Sequence, residues 1–200
     1  MSLLAEQAAV APDAAGLATL AGFSRWMQSE QKRVFLLCRR MLDDPDEADS
    51  ATQDIFFKAY RSLEKADQKA VQSPDRWLTR IAVNACLDRL RSRRWQFWRR
   101  RPNTEDETAI LSMTPSGQPD AEALIFADDI RRRIKAALGR LSTRQRAVFA
   151  LRHYENRSLE EIAEVLDLDT GTVKAHLARG LAKLREELRD LYGRQSLQSG

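Results

Sequence analysis

Between Thr172 and Lys183 the chain sets Thr172, Lys174, Ala175, His176, Arg179 and Lys183 in a stretch that reads as helix. At about 100° per residue Thr172, Ala175, His176, Arg179 and Lys183 point away from an apolar stripe of Val173, Leu177, Leu181, Leu184 and Leu188. Such a face suits recognition rather than catalysis. An arginine can bridge guanine bidentately, threonine and lysine suit phosphates, and a small alanine allows close approach. A second set lies upstream: Arg76, Arg80, Asn84, Arg91 and Arg94 fall within a helical sector of roughly 80°. Trp77, Leu78, Ile81, Ala82 and Ala85 occupy the adjoining apolar side, with Trp77 expected in the core. Arginines with one asparagine suit phosphate and base-edge contacts. Trp95, Phe97 and Trp98, interleaved with arginine just beyond, suit stacking on unpaired bases.

Other chemistries find little support. No nucleophile–base pair and no carboxylate cluster for a metal presents itself, so neither a catalytic residue nor a cofactor is expected. The only histidines, His153 and His176, do not pair with cysteine at ligand spacing. Cys38 and Cys86 lack a CxxC arrangement and sit in apolar helical patterns, which reads as buried free thiols in a reducing cytosol.

The elements that carry these faces are all helical. Residues 1–21 are alanine-rich and read as a loose leader. Phe23 to Leu42 has helical apolar spacing, with a break expected near Ser29. Asp43-Asp44-Pro45-Asp46 is a turn, and a helix follows from about Asp46 to Leu63, with Ala48, Ala51, Thr52, Ile55, Phe56, Ala59 and Leu63 inward. After a polar stretch, Glu64 to Ser73, Pro74 opens a long helix to about Arg94. Residues 96–119, with Pro102, Pro115, Gly117 and Pro119, form a linker. Beyond it Leu124, Ala127, Ile130, Ile134, Leu138 and Leu141 make one stripe. Ser142 with Gln145, and Ser158 with Glu161, are capping boxes that start two more helices. The second of these, the turn Asp167-Leu168-Asp169 and a helix from about Thr170 form a helix-turn-helix, with Ala163, Leu168 and Val173 at the crossing. Helix is expected to about Tyr192. The expected fold is therefore all-α: a leader (1–21), a helical domain (22–95), a flexible acidic linker (96–119), a second helical domain (120–192) and a polar tail (193–200).

Charge follows the same division. The net charge is +4, with 43% hydrophobic and 31% charged residues, a globular balance that permits a nucleic-acid partner. Arginines crowd residues 76–101 against the single acid Asp88, whereas residues 102–129 hold no lysine or arginine. A basic block beside an acidic one suits distinct partners. No apolar run approaches the ~18 residues of a membrane span, and a cytoplasmic protein is expected. The linker would reach about 80 Å if extended and average about 27 Å as a coil, so it fixes no separation between the domains.

Three motifs together resemble the extracytoplasmic-function (ECF) sigma factors of bacterial RNA polymerase over about residues 23–192. They are "EADSATQDIFFKAYRSL", with Gln53, Asp54 and Phe56; "RWLTRIAVNACLDRLRSRR"; and the run from "LSTRQRAVFALRHY" through "GTVKAHLARGLAKLRE". The resemblance implies a sigma region 2-like domain that binds core polymerase through Asp49, Gln53 and Asp54, against a coiled coil of the beta-prime subunit. An apolar Ile55/Phe56 seam is expected beside that rim. The −10 element would meet Arg76, Arg80, Asn84, Asp88, Arg91 and Arg94, with the loop at 64–73 capturing a flipped base. A region 4-like domain would read the −35 element through Thr172, Lys174, Ala175, His176, Arg179 and Lys183 and touch the beta flap. The linker would thread near the active-site channel. A monomer is implied, held in check by an anti-sigma factor, which can be membrane-anchored. Three departures stand out. Ser50 replaces a common second acid, Ser142 replaces a common proline, and the 64–73 loop lacks an aromatic.

Two other classes compete. A response-regulator or quorum-type helix-turn-helix protein would explain residues 141–190, but leaves the Gln53–Phe56 and Arg/Asn helices unexplained and expects strands. A helix-turn-helix recombinase would need catalytic residues that are not evident.

Overall fold

The computed structural model describes residues 17, 19–65, 73–99 and 121–189, with side chains for 17, 19–63, 73–93 and 128–189. Among these residues there are seven helices and no strand. They are α1 (Leu20–Leu42), α2 (Pro45–Lys65), α3 (Pro74–Arg99), α4 (Ala121–Gly139), α5 (Thr143–His153), α6 (Leu159–Leu166) and α7 (Thr170–Glu187).

The first three helices pack on one another. Val34, Leu37, Cys38 and Met41 of α1 meet Ala48, Ala51, Ile55 and Ala59 of α2 and Leu78, Ala82, Val83 and Cys86 of α3, all fully buried. Each large aliphatic removed from water here contributes about 1.5–3 kcal/mol. Trp77 is half-buried and stacks on Trp26, with ring centroids 6.4 Å apart. The two cysteines are free and buried, and the Cys86 thiol donates to Cys38 Sγ across 3.7 Å.

Several expectations need correction. α1 does not break at Ser29, because that hydroxyl donates to the Trp26 carbonyl (2.7 Å) within an unbroken helix. The leader is not wholly outside the fold: Leu17 is buried in the first core, and Thr19 caps α1 by accepting from the Gly22 amide. α3 continues to Arg99, past the expected linker boundary; residues 100–120, most of the 64–73 loop and the polar tail lie outside the described residues. In α4 the register differs. Ala137 and Leu141 are buried with Leu184 of α7, and Phe149 of α5 packs against them, while Ile134 is exposed. α7 spans Thr170–Glu187, and residues 190–192, to which helix was expected, lie outside the described residues.

Helices α4–α7 form the second module, with α7 packed on α4, α5 and α6. The modules do not stand apart. α3 packs on α5 and α6, α1 packs on α5, and one continuous apolar cluster runs from Leu17 to Val173. The modules' own faces set the separation.

Candidate nucleic-acid interface

Ser158 caps α6 by accepting the Glu161 amide (3.1 Å), while the Glu161 carboxylate accepts the Ser158 amide (2.9 Å). The bond from the Ser158 amide holds the Glu161 carboxyl below the usual range, with Arg157 and Arg76 adding to the effect. α6 ends at Asp167, which takes a left-handed conformation (φ 53°, ψ 56°). Asp169 then caps α7, accepting the Thr172 amide at 2.8 Å and the Thr172 hydroxyl. Three residues thus separate two helices, and Ala163, with Val173 fully buried opposite it, lets them cross closely.

The face this produces is narrower than expected. Arg179 and Lys183 are exposed on the side away from Val173 and Leu184, and Lys174 is exposed at the flank of that buried stripe. Ala175 is half-covered, and Arg179 Nε donates back to its carbonyl (3.1 Å). The Thr172 hydroxyl is already committed to Asp169. His176 is half-buried and its Nδ1 is enclosed without a hydrogen-bond partner. Burial first, then the charges of Arg179 and Arg144, push its pKa down.

On α3, Arg80, Asn84, Asp88 and Arg91 form an exposed row, with Arg91 paired to Asp88 (3.1 Å). The Arg94 side chain lies outside the described residues. Arg76 departs from the row: its guanidinium pairs with Glu164 (2.9 Å) and Glu161 (3.3 Å) of α6.

The outer face of α2 carries Asp49, Gln53 and Asp54, all exposed. Gln53 donates to Asp49 (2.9 Å), and Asp54 pairs with Arg89. Arg89 also donates to Ser50 (3.3 Å), so the residue in place of a second acid helps hold an arginine. The expected Ile55/Phe56 seam is wrong. Both side chains are buried, and Phe57 stands exposed instead. Phe57 and exposed Leu20 edge a groove of about 470 Å³ between α1 and α2, lined also by Phe23, Met27, Gln53 and Tyr60. The run Ile55-Phe56-Phe57 could have signalled this, since three consecutive residues span about 200° of a helix and cannot all face one core.

Among the described residues no group of three or more His, Cys, Asp or Glu could hold a metal, and no helix is long and apolar enough to cross a membrane.

Residues 26–96 match Sigma-70 region 2, and residues 131–184 match Sigma-70, region 4. The ECF RNA polymerase sigma factor SigW of Bacillus subtilis is 31% identical over 161 residues, spanning 80% of this chain and 84% of that one. The chain belongs to the ECF sigma factors. RNA polymerase sigma-E factor of Streptomyces coelicolor is 33% identical to this sigma factor over 174 residues, 86% of this chain and 90% of that one. Its fold matches RpoE of Bartonella quintana, solved with the anti-sigma factor NepR, at TM-score 0.66 and 20% identity over 85% of this chain and 98% of that one. CnrH, solved with the cytosolic domain of CnrY, gives TM-score 0.60 at 24% identity over 88% and 95%. An RNA polymerase sigma factor with a helix-turn-helix second module is thus the class, and the α/β regulator reading falls with the match to region 2.

Proposed function

We propose that this sigma factor binds core polymerase through the outer face of α2 and directs it to promoters, without chemistry of its own. Residues 22–95 form the region 2 domain, in which Asp49, Gln53 and Asp54 make a polar rim for the beta-prime coiled coil. Exposed Phe57, rather than Ile55 or Phe56, supplies the apolar contact beside it. Arg80, Asn84, Asp88 and Arg91, with Arg76 and Arg94 at the ends of the row, take the −10 element. Residues 120–192 form the region 4 domain, which reads the −35 element and contacts the beta flap. Arg179 is the base reader, Lys174 and Lys183 hold phosphates, Ala175 admits the groove, and Thr172 and His176 shape the helix start. An anti-sigma factor covers these faces in the uninduced, cytoplasmic monomer. Of two proteins similar in fold, the sigma factor RpoE was solved with the anti-sigma factor NepR, and CnrH with the cytosolic domain of CnrY.

The observation that carries the reading is the exposure of Lys174, Arg179 and Lys183 on a helix whose other face is packed, within the residues matching region 4. Run-off transcription with purified core polymerase tests it. Promoter-dependent product with no other sigma factor is expected. A helix-turn-helix regulator would give none until another sigma factor was added, and that outcome would overturn the proposal.

A further inference from the structure

α3 carries two basic sides. Arg80, Asn84, Asp88 and Arg91 make the exposed row already described. Arg89 follows Arg80 by nine residues, a half turn round at about 100° per residue, and so faces α2 instead. Its side chain is only 24% exposed and reaches the outer edge of that helix. One nitrogen, Nη2, donates to Asp54 Oδ2 and to the Ser50 hydroxyl (3.3 Å). Arg93, one turn further along α3, pairs with Glu47 and Asp44 near the start of α2. The back of α3 is thus fitted to the acids of α2.

Asp54 depends on this arginine more than its neighbours do. Gln53 donates to Asp49 (2.9 Å) across one turn, so that part of the rim is ordered within α2 itself. Asp54 lies about 100° further round, with Ser50 one turn before it and Lys58 one turn after. Ser50 accepts from the same arginine nitrogen, whereas an acid there would repel Asp54 and compete for Arg89. Lys58 is the partner an isolated helix would favour, and it would draw the carboxylate along α2, away from α3. The pair formed in the fold is the one with Arg89. It engages one carboxylate oxygen, and the other can still accept from a donor across an interface. Asp54 remains 59% exposed, so it is held without being covered.

We propose that Arg89 is a positioning residue for core polymerase docking: from behind the rim it fixes the Asp54 carboxylate in the orientation that core polymerase meets. The inference rests on the reading of α2 above and adds a residue of α3 to it. A side chain ordered before docking need not be ordered during it, a gain of about three- to tenfold in affinity. One effect opposes this. Arg89 also sets a positive charge near a partner that favours acids. Water and salt screen charges at so exposed an edge, and the arginine is the less exposed of the pair. Ordering therefore outweighs repulsion, and Arg89 tightens docking.

The test is a double-mutant cycle on the full chain, labelled at its amino terminus and titrated with purified core polymerase by fluorescence anisotropy. Arg89→Met keeps an aliphatic stem and removes the charge, and it should weaken binding about three- to tenfold. Arg89→Lys should recover most of that loss. In an Asp54→Asn background Arg89→Met should change nothing further. At saturating core polymerase, run-off by Arg89→Met should equal that of the native chain. Equal weakening by Arg89→Met in both backgrounds overturns the inference, because Arg89 would then support the fold rather than Asp54. Run-off that stays low at saturating core polymerase overturns it for the same reason. Unchanged or tighter binding by Arg89→Met also overturns it, tighter binding showing that Arg89 competes for Asp54. Should Arg89→Met fail to fold, Arg89→Gln takes its place in the cycle. If Asp54→Asn alone leaves core affinity unaltered, the docking reading of α2 falls and takes the inference with it; the other adverse outcomes strike the inference alone.

Discussion

His176 and Arg179 sit one turn apart on α7, yet their surroundings give them opposite tasks. Arg179 is exposed, while His176 keeps an enclosed nitrogen beside it. In the unfolded chain a histidine takes up its proton near pH 6.5. Burial, with Arg179 and Arg144, holds the folded His176 lower. The unfolded state therefore binds the proton first as pH falls, and the stability present above about pH 6.5 is lost through the folded value below it. Thermal melts from neutral pH downward should show a steeper loss for the native chain than for His176→Gln. Arg179→Ala should relax preference at one −35 base pair by about 1–3 kcal/mol, whereas Lys174→Ala should weaken all sequences alike. Binding titrations over a salt series check this, with the Lys174→Ala slope reduced by roughly one.

At the scale of elements, the helix-turn-helix depends on its caps. Removing the Ser158 hydroxyl frees the Glu161 amide at the start of an eight-residue helix that has few bonds to spare. Ser158→Ala should cost about 1 kcal/mol by denaturant unfolding. Asp167 holds a left-handed conformation that glycine adopts with less strain, so Asp167→Gly should raise the midpoint of the same curve. Gly180 is a different case. It lies mid-helix in α7, where an added Cβ would meet Gln145 and Leu141 at 3.6–4.0 Å, an ordinary contact distance. Gly180→Ala should therefore stabilise by about 0.5–1 kcal/mol, through helix propensity, without moving α5.

For the whole molecule, the shared core and the ion pairs of Arg76 with α6 join two units whose connecting residues would not by themselves fix their separation. All four tryptophans lie on α1 and α3, so their fluorescence reports the first helical bundle, while far-ultraviolet circular dichroism reports both modules. At low salt the two signals should follow one urea transition, as expected when two units unfold together. At high salt, where the exposed pairs are screened, the curves should separate. Divergence already at low salt would show that the modules fold independently.

The helices that carry the functional faces follow from local rules of the chain. Period-3.6 apolar spacing fixed the inner face of α2, and Ser-x-x-Gln and Ser-x-x-Glu marked the starts of α5 and α6. An apolar stripe left Arg179 and Lys183 on the opposite side of α7, because side chains on one helix share a frame set by 100° steps. Contacts between helices obey no such local rule. Ile134 belongs by spacing to the same stripe as Leu138 and Leu141, yet the packing of α4 leaves it exposed. Arg76 belongs by spacing to the same row as Arg80 and Asn84, yet Glu161 and Glu164, some 85 residues later, take its charge. Ion pairs of this kind depend on how two surfaces meet, and that meeting is set by tertiary packing rather than by any periodicity the chain carries.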